Sequence, residues 1–221
     1  MLTLHHLNNS RSQRILWVLE ELGLPYEIKF YQRNQKTWLA PEELKKIHPL
    51  GKSPVITDNG LVLAESAAIL EYLVDRYGQG RLKPRVDSEQ WIRYRYWLHY
   101  AEGSLMPLLV LALIFNRIRN QKVPFFVRPI LKGICEKVMK VFVYPQLKLH
   151  LSYVEEELAK SSWFCGDELT AADIQMSFPL SAALIRAPAE FIGPNIRRFI
   201  QQVNENKNYQ MAIQKGGAFD L

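Results

Sequence analysis

Leu2-Thr3-Leu4-His5-His6-Leu7, then Ile15-Leu16-Trp17-Val18-Leu19-Glu20-Glu21-Leu22-Gly23-Leu24-Pro25, then Tyr26-Glu27-Ile28-Lys29-Phe30 decide the fold. Leu2, Leu4 and His6 alternate with Thr3 and His5, as in a strand closed by Leu7. Ile15, Leu16, Val18, Leu19 and Leu22 recur at helical spacing. Gly23 just past the last apolar residue, with Pro25 shortly after, is helix-stop chemistry. Tyr26, Ile28 and Phe30 alternate again. Two strands separated by 18 residues that hold a helix fit a parallel crossover unit.

Working outward, Pro41-Glu42-Glu43-Leu44-Lys45-Lys46 predicts a short helix, with acids at its start and bases at its end. Asp58-Asn59-Gly60 between two short apolar runs, Pro54 to Thr57 and Leu61 to Ala64, predicts a hairpin. Ser66 to Tyr77 is helical in pattern and stops at Gly78. The order βαβαββα is that of an α/β thioredoxin-like N-terminal domain, placed at residues 1–78. Residues 79–87 read as a linker. Residues 88–221 read as an all-α C-terminal helical domain. Its predicted helices run from about Asp87 toward Asn116 and over 125–143, 145–160, 170–186 and 194–205. Thr170-Ala171-Ala172-Asp173 is an N-cap signature.

Composition narrows the function classes. The chain has 221 residues, 48% hydrophobic and 23% charged, values ordinary for a globular protein. Its net charge of +6 is uneven. Residues 1–78 hold nine bases and nine acids, whereas residues 117–148 hold eight bases and one acid, Glu136. The longest apolar stretch, Leu105 to Phe115, is eleven residues with Pro107 inside it, shorter than the roughly 20 residues of a membrane span. Two cysteines, Cys135 and Cys165, form neither a disulfide framework nor a zinc motif. No basic leader-like region precedes the first strand, so the expectation is a reduced, cytoplasmic protein.

Three short segments of the first 78 residues carry candidate chemistry. Ser10-Arg11-Ser12-Gln13-Arg14 lies where the first strand meets the first helix, and helix N-termini favour anions. Gly51-Lys52-Ser53-Pro54 puts a proline at a strand start, a candidate for the cis isomer in a tight turn. Glu65-Ser66 opens a helix and offers a carboxylate and a hydroxyl. Each segment has a plainer reading: Ser10 or Ser12 as a cap, Ser53-Pro54 as a turn, Glu65-Ser66 as capping residues. No cysteine lies in this part of the chain.

Taken together, these segments resemble the soluble glutathione transferases, and the resemblance covers nearly the whole chain. It is carried by Trp17-Val18-Leu19-Glu20-Glu21-Leu22-Gly23, His48-Pro49-Leu50-Gly51-Lys52-Ser53-Pro54, Leu63-Ala64-Glu65-Ser66 and Leu169-Thr170-Ala171-Ala172-Asp173. Tyr100-Ala101-Glu102-Gly103-Ser104-Leu105 and Met176-Ser177-Phe178-Pro179-Leu180 are similar to a branch found in fungi and bacteria. The resemblance implies glutathione as co-substrate, a small hydrophobic electrophile as second substrate, and a homodimer. Ser10 matches the family's thiol-activating serine, four residues before Arg14, and Ser12 is the alternative. Ser53 matches the position whose backbone pairs with the cysteinyl unit, and Pro54 the cis proline. Glu65 and Ser66 match the pair that grips the γ-glutamyl end, and Lys52 a base for the glycyl carboxylate. Many relatives place His or Lys near Trp38 for that carboxylate; this chain is aromatic there.

The implied activity is thiolate attack on an electrophilic carbon, or on a peroxide oxygen, with no metal. A non-catalytic ligand-binding or regulatory module on the same fold is the alternative, and a dithiol oxidoreductase would need a cysteine that residues 1–78 lack. Tyr96 and Tyr100 are candidates for the electrophile pocket. Trp91-Ile92-Arg93-Tyr94-Arg95-Tyr96-Trp97 interleaves bases and aromatics, but Trp91, Tyr94, Leu98 and Ala101 share a helix face, which favours packing over nucleic-acid binding. Phe125 to Val143 has the pattern of a basic membrane-surface helix; the expectation is core packing with a solvated basic edge.

Overall fold

The computed structural model describes residues 1–34 and 37–217. Its first part contains β1 (Thr3–Leu7), α1 (Ser12–Leu22), β2 (Glu27–Tyr31), β3 (Val55–Asp58), β4 (Leu61–Ala64) and α2 (Ser66–Tyr77), with a 3-10 turn at Glu42–Lys46. The sheet order is β2-β1-β3-β4; β1 runs parallel to β2 and antiparallel to β3, and β3 and β4 form the hairpin. Gly23 ends α1 in the left-handed region (φ 65°), where its N–H reaches the Glu20 carbonyl and the next N–H reaches Leu19. A side chain there would be strained, which is why glycine closes this crossover helix.

The second part is helical: α3 (Glu89–Tyr100), α4 (Met106–Arg119), α5 (Arg128–Val138), α6 (Tyr144–Leu158), α7 (Ala171–Arg186), α8 (Pro194–Glu205) and α9 (Lys207–Gly216). One continuous apolar core joins the two parts. It runs from Leu4, Leu16 and Ile69 through Trp97 and Leu109 to Phe164, Ile174 and Phe199.

Two π-helical turns, Ala101–Leu105 and Met139–Val143, join α3 to α4 and α5 to α6. Each precedes a proline at the second position of the following helix, Pro107 and Pro145. A proline has no N–H and its ring crowds the carbonyl four residues back; a widened turn relieves that crowding without ending the helix. The break predicted between 143 and 145 is therefore a bulge in a continuous run.

The run Glu89–Arg119 spans 31 residues and has one window of mean hydropathy 1.6, long and apolar enough for a membrane span. Leu98, Ala101, Leu105, Leu109 and Ala112 along it are nevertheless buried in the helical core. Core packing of Phe125 to Val143 is not what the structure shows. Phe125, Phe126, Ile130, Ile134, Val141 and Phe142 are exposed, and Cys135, Met139 and Val143 alone carry the buried face. The segment is amphipathic, but its wider apolar stripe points outward beside the lysines. Packing does hold for Tyr94, Leu98 and Ala101.

The residues before α7 form a tight polar knot. Asp173, wholly buried, accepts from the Thr170 N–H and hydroxyl and from the Phe164 N–H, each at 2.8 Å. Burial pushes its carboxyl up to about 6 against those donors. An Asp173→Ala variant leaves two buried N–H groups unpaired. We expect it to lower unfolding free energy by about 2–4 kcal/mol, read from the urea midpoint, with Asp173→Asn less damaging.

Candidate active site

At the end of β1 the chain turns through Asn9, which adopts positive φ (49°), and delivers Ser10 and Ser12 to the start of α1. The two hydroxyls lie 2.7 Å apart, but their settings differ. Ser12 is fully buried and its hydroxyl sits 2.9 Å from His6 Nδ1. His6 Nε2 in turn lies 2.9 Å from the Gly216 carbonyl. A carbonyl only accepts, so Nε2 carries the hydrogen. Burial holds His6 below its ordinary pKa and thus neutral, so Nδ1 accepts from Ser12. Ser12 then accepts from Ser10, whose oxygen takes the Ser12 backbone N–H at 3.2 Å. Of the two serines, only Ser10 lines the cleft between the two halves of the molecule.

That cleft holds about 260 Å³. One wall is Asn9, Ser10, Arg11, Arg33, Trp38 and Ser53; the other is Met106, Val110, Leu113, Arg117, Phe178 and Arg186, from α4 and α7. A smaller adjoining cleft of about 60 Å³ shares Arg11 and Ser53 with it and adds Lys52, Pro54, Glu65, Ser66 and Glu102. The structure thus brings together Ser10, Lys52, Ser53, Pro54, Glu65 and Ser66 along one continuous depression.

The local folding of each residue is legible. The Ser53–Pro54 bond is cis, and the Ser53 hydroxyl donates to the His5 carbonyl at 3.0 Å, so what Ser53 offers the clefts is chiefly main chain. Glu65 sits at φ 72° and its side chain caps nothing; an exposed, uncommitted carboxylate in a strained conformation is a functional signature. Ser66 is buried at the first position of α2 and accepts from Arg14 at 3.0 Å. Arg14, itself buried, also donates to Glu102 at 2.6 Å and to the Gln175 carbonyl at 2.9 Å. The Gln175 carbonyl is free because Pro179, four residues on, has no N–H to give it. Burial lowers the Arg14 pKa while Glu102 opposes the shift.

Tyr96 and Tyr100 are not brought into the cleft. They face α6, stacked on one another at 5.6 Å and grouped with Tyr153, and the Tyr100 hydroxyl lies 2.6 Å from His150 Nδ1. The cleft is lined instead about two to five turns beyond Tyr100, by Met106, Val110, Leu113 and Arg117 at spacings of three and four. Sequence reasoning missed these residues, as well as Arg33 and Arg186. Their helical spacing was the available signal. Neither cysteine lines either cleft, and burial pushes the Cys165 thiol up to about 12. Among the described residues no group of three or more His, Cys, Asp or Glu is placed to hold a metal.

Comparison with known proteins gives the family. The glutathione S-transferase N-terminal domain model matches residues 10–76 and the C-terminal domain model residues 134–207. Glutathione S-transferase 3 of Schizosaccharomyces pombe is 38% identical over 97% of this chain and 88% of its own. This chain belongs to the glutathione S-transferase family. Glutathione S-transferase 1 of Saccharomyces cerevisiae is 32% identical over 99% of this chain and 96% of its own. A solved glutathione S-transferase from Actinobacillus pleuropneumoniae superposes with a TM-score of 0.81 at 36% identity, covering all of this chain and 95% of that one. A Phanerochaete chrysosporium transferase, Ure2p6, solved with oxidised glutathione, shares the fold at 22% identity and a TM-score of 0.74. The protein is a glutathione S-transferase of the kind found in fungi and bacteria, with a thioredoxin-like domain and a helical domain.

Two buried histidines of this transferase, and a partly buried third, carry a pH signature. Burial lowers the pKa of His5, His6 and His150, so the unfolded chain takes up protons first as pH falls through about 6.5. Their contribution is intact above that value and is lost as pH drops through the folded values. We expect His6→Gln to flatten the fall in stability below about pH 6.5 relative to the parent, measured by urea unfolding at a series of pH values.

Proposed function

We propose that this transferase ionises the glutathione thiol at Ser10 and delivers the thiolate to a small electrophile in the larger cleft. The observation that carries the reading is that Ser10, at the N-terminus of α1, is the one of the two serines lining that cleft, beside a smaller cleft lined by Lys52, Ser53, Pro54, Glu65 and Ser66. Glutathione's charges suit that smaller cleft. The uncapped Glu65 carboxylate meets the α-amino group, and Ser66 with the N–H groups opening α2 meets the γ-glutamyl carboxylate. The Ser53 main chain pairs with the cysteinyl unit, and Lys52 reaches toward the glycyl end.

A thiol with pKa about 8.5 is mostly protonated at neutral pH, and lowering it two units takes about 2.7 kcal/mol of preferential thiolate stabilisation. A hydrogen bond to a charged group supplies about 1.5–3 kcal/mol and a helix N-terminus about 0.3–2. Ser10 and α1 together are sufficient. Ser10 turns its hydroxyl from Ser12 to the sulfur and donates; it is not the nucleophile. Sulfur then bonds to carbon, the leaving group departs with its electron pair, and the thiol proton passes to solvent. The same thiolate can attack a peroxide oxygen: the O–O bond breaks, the alcohol or water leaves, and the glutathione sulfenic acid condenses with a second glutathione to give oxidised glutathione and water.

The reading includes a cytoplasmic homodimer. Ile92 and Tyr96 on α3, Val141 and Phe142 in the second π turn, and Leu149 on α6 are exposed and give a second copy an apolar surface to cover.

Ser10→Ala should move the pH midpoint for conjugation of 1-chloro-2,4-dinitrobenzene upward by one to two units, roughly, and cut the rate near pH 6.5 by about 10–100-fold. Ser12→Ala should act mainly on stability. An unchanged pH–rate profile in Ser10→Ala contradicts the mechanism.

A further inference from the structure

The larger cleft is charged in a way that conjugation of neutral electrophiles does not require. Four guanidinium groups line it, those of Arg11, Arg33, Arg117 and Arg186, and among its described lining residues there is no carboxylate. Their charges are poorly matched. Arg11 pairs with Glu102 at 3.1 Å, but Glu102 also serves Arg14. Arg33 donates to the carbonyls of Asn8, Asn9 and Trp38, which are neutral acceptors and leave its charge standing. Arg117 lies over the Trp38 ring, 4.9 Å from its centre. Arg186 makes no hydrogen bond or ion pair with any described residue, and its Nε is buried without a partner. Burial and then the neighbouring Arg11 and Arg117 charges pull down the pKa of Arg33 and Arg186.

A buried, unpartnered guanidinium nitrogen is costly unless something fills the need. Guanidinium forks favour planar oxyanions. Arg117 and Arg186 stand on the same wall as Met106, Val110, Leu113 and Phe178, the apolar wall facing Ser10.

We infer that the second substrate of this transferase is an anionic electrophile, an apolar or aromatic body carrying a carboxylate or similar oxyanion held by Arg117 and Arg186. This rests on the conjugation reading above for its place in the reaction, though the anion site itself does not depend on turnover. The carboxylate that competes for the same cations is the glycyl end of glutathione, and the test separates the two.

The test uses 4-chloro-3-nitrobenzoate and 4-chloro-3-nitrobenzamide, which react identically: the glutathione sulfur bonds to the chlorine-bearing carbon and chloride leaves with the bonding pair. With kcat/KM normalised to each compound's uncatalysed rate with glutathione, the parent should favour the benzoate by about tenfold or more. Arg186→Gln and Arg117→Gln should each lower the benzoate value about tenfold more than the benzamide value, within reach of a partly screened charge-assisted hydrogen bond.

Equal or reversed preference in the parent overturns the inference. So do variants whose loss falls on KM for glutathione and strikes both compounds alike, which would give the arginines to the glycyl carboxylate. If neither compound is turned over, the conjugation reading fails on its own. Calorimetric binding of S-(4-carboxy-2-nitrophenyl)glutathione and of its carboxamide still decides the anion site. About tenfold tighter binding of the acid, lost in Arg186→Gln, supports it; equal affinity refutes it.

Discussion

Arg14 carries a full positive charge in a place where water does not reach, and the relation between the two halves of the molecule follows from how that charge is satisfied. Its donors are divided among Glu102 on the π turn, Ser66 at the start of α2 and the Gln175 carbonyl on α7, with the Phe178 ring 5.1 Å away. Each partner comes from a different element, so one planar fork sets α1, α2 and two helices of the second half in a fixed relation. A lysine could not do this, because a point charge on a flexible stem has no matching geometry. Taking the Arg14 charge out of water offsets much of what its attraction to the partly exposed Glu102 returns. We read Arg14 as a determinant of arrangement more than of net stability.

The chemistry proposed for Ser10 depends on that arrangement at two removes. Fixing the start of α1 fixes Ser10, and the far face of α1 is held by α9. There, Trp17 meets Tyr209 edge-on at 5.1 Å, Asn206 and Asn208 both donate to Glu21, and Lys215 pairs with Glu20. His6 and Ser12 then form a one-way chain of donors between the Gly216 carbonyl and the Ser10 hydroxyl. Ser10 lines the cleft while being itself buried, held from behind by Ser12.

Much of this was legible from residue patterns alone, where local chemistry governs. The helix stop at Gly23, the hairpin around Asn59-Gly60, the knot at Thr170 and Asp173, and the turn at Ser53–Pro54 all depend on neighbours close in sequence. What escaped depends on tertiary context. Pro145 reads as a helix break, yet a bulge one turn earlier absorbs it. The last ten helical residues, Lys207–Gly216, have a polar pattern whose apolar side makes sense only against α1. Tyr96 and Tyr100 look like pocket residues until the helix rotation turns them toward α6. The arginines of the cleft are distant in sequence, at 11, 33, 117 and 186, and nothing local announces their meeting. Pro179 shows both kinds at once: it belongs to a motif visible in the sequence, but its role is to leave open the Gln175 carbonyl for Arg14, 161 positions from it.

The contact between His6 and Gly216 joins residues 210 positions apart, nearly the whole length of the chain, and leaves little room there: a methyl group built on Gly216 would meet Leu16, Gln13 and His6. During synthesis, β1 and α1 leave the ribosome well before the piece that completes their support. The pocket around Ser10 and Ser12 reaches its full support only after α9 has left the exit tunnel and folded back beside β1 and α1.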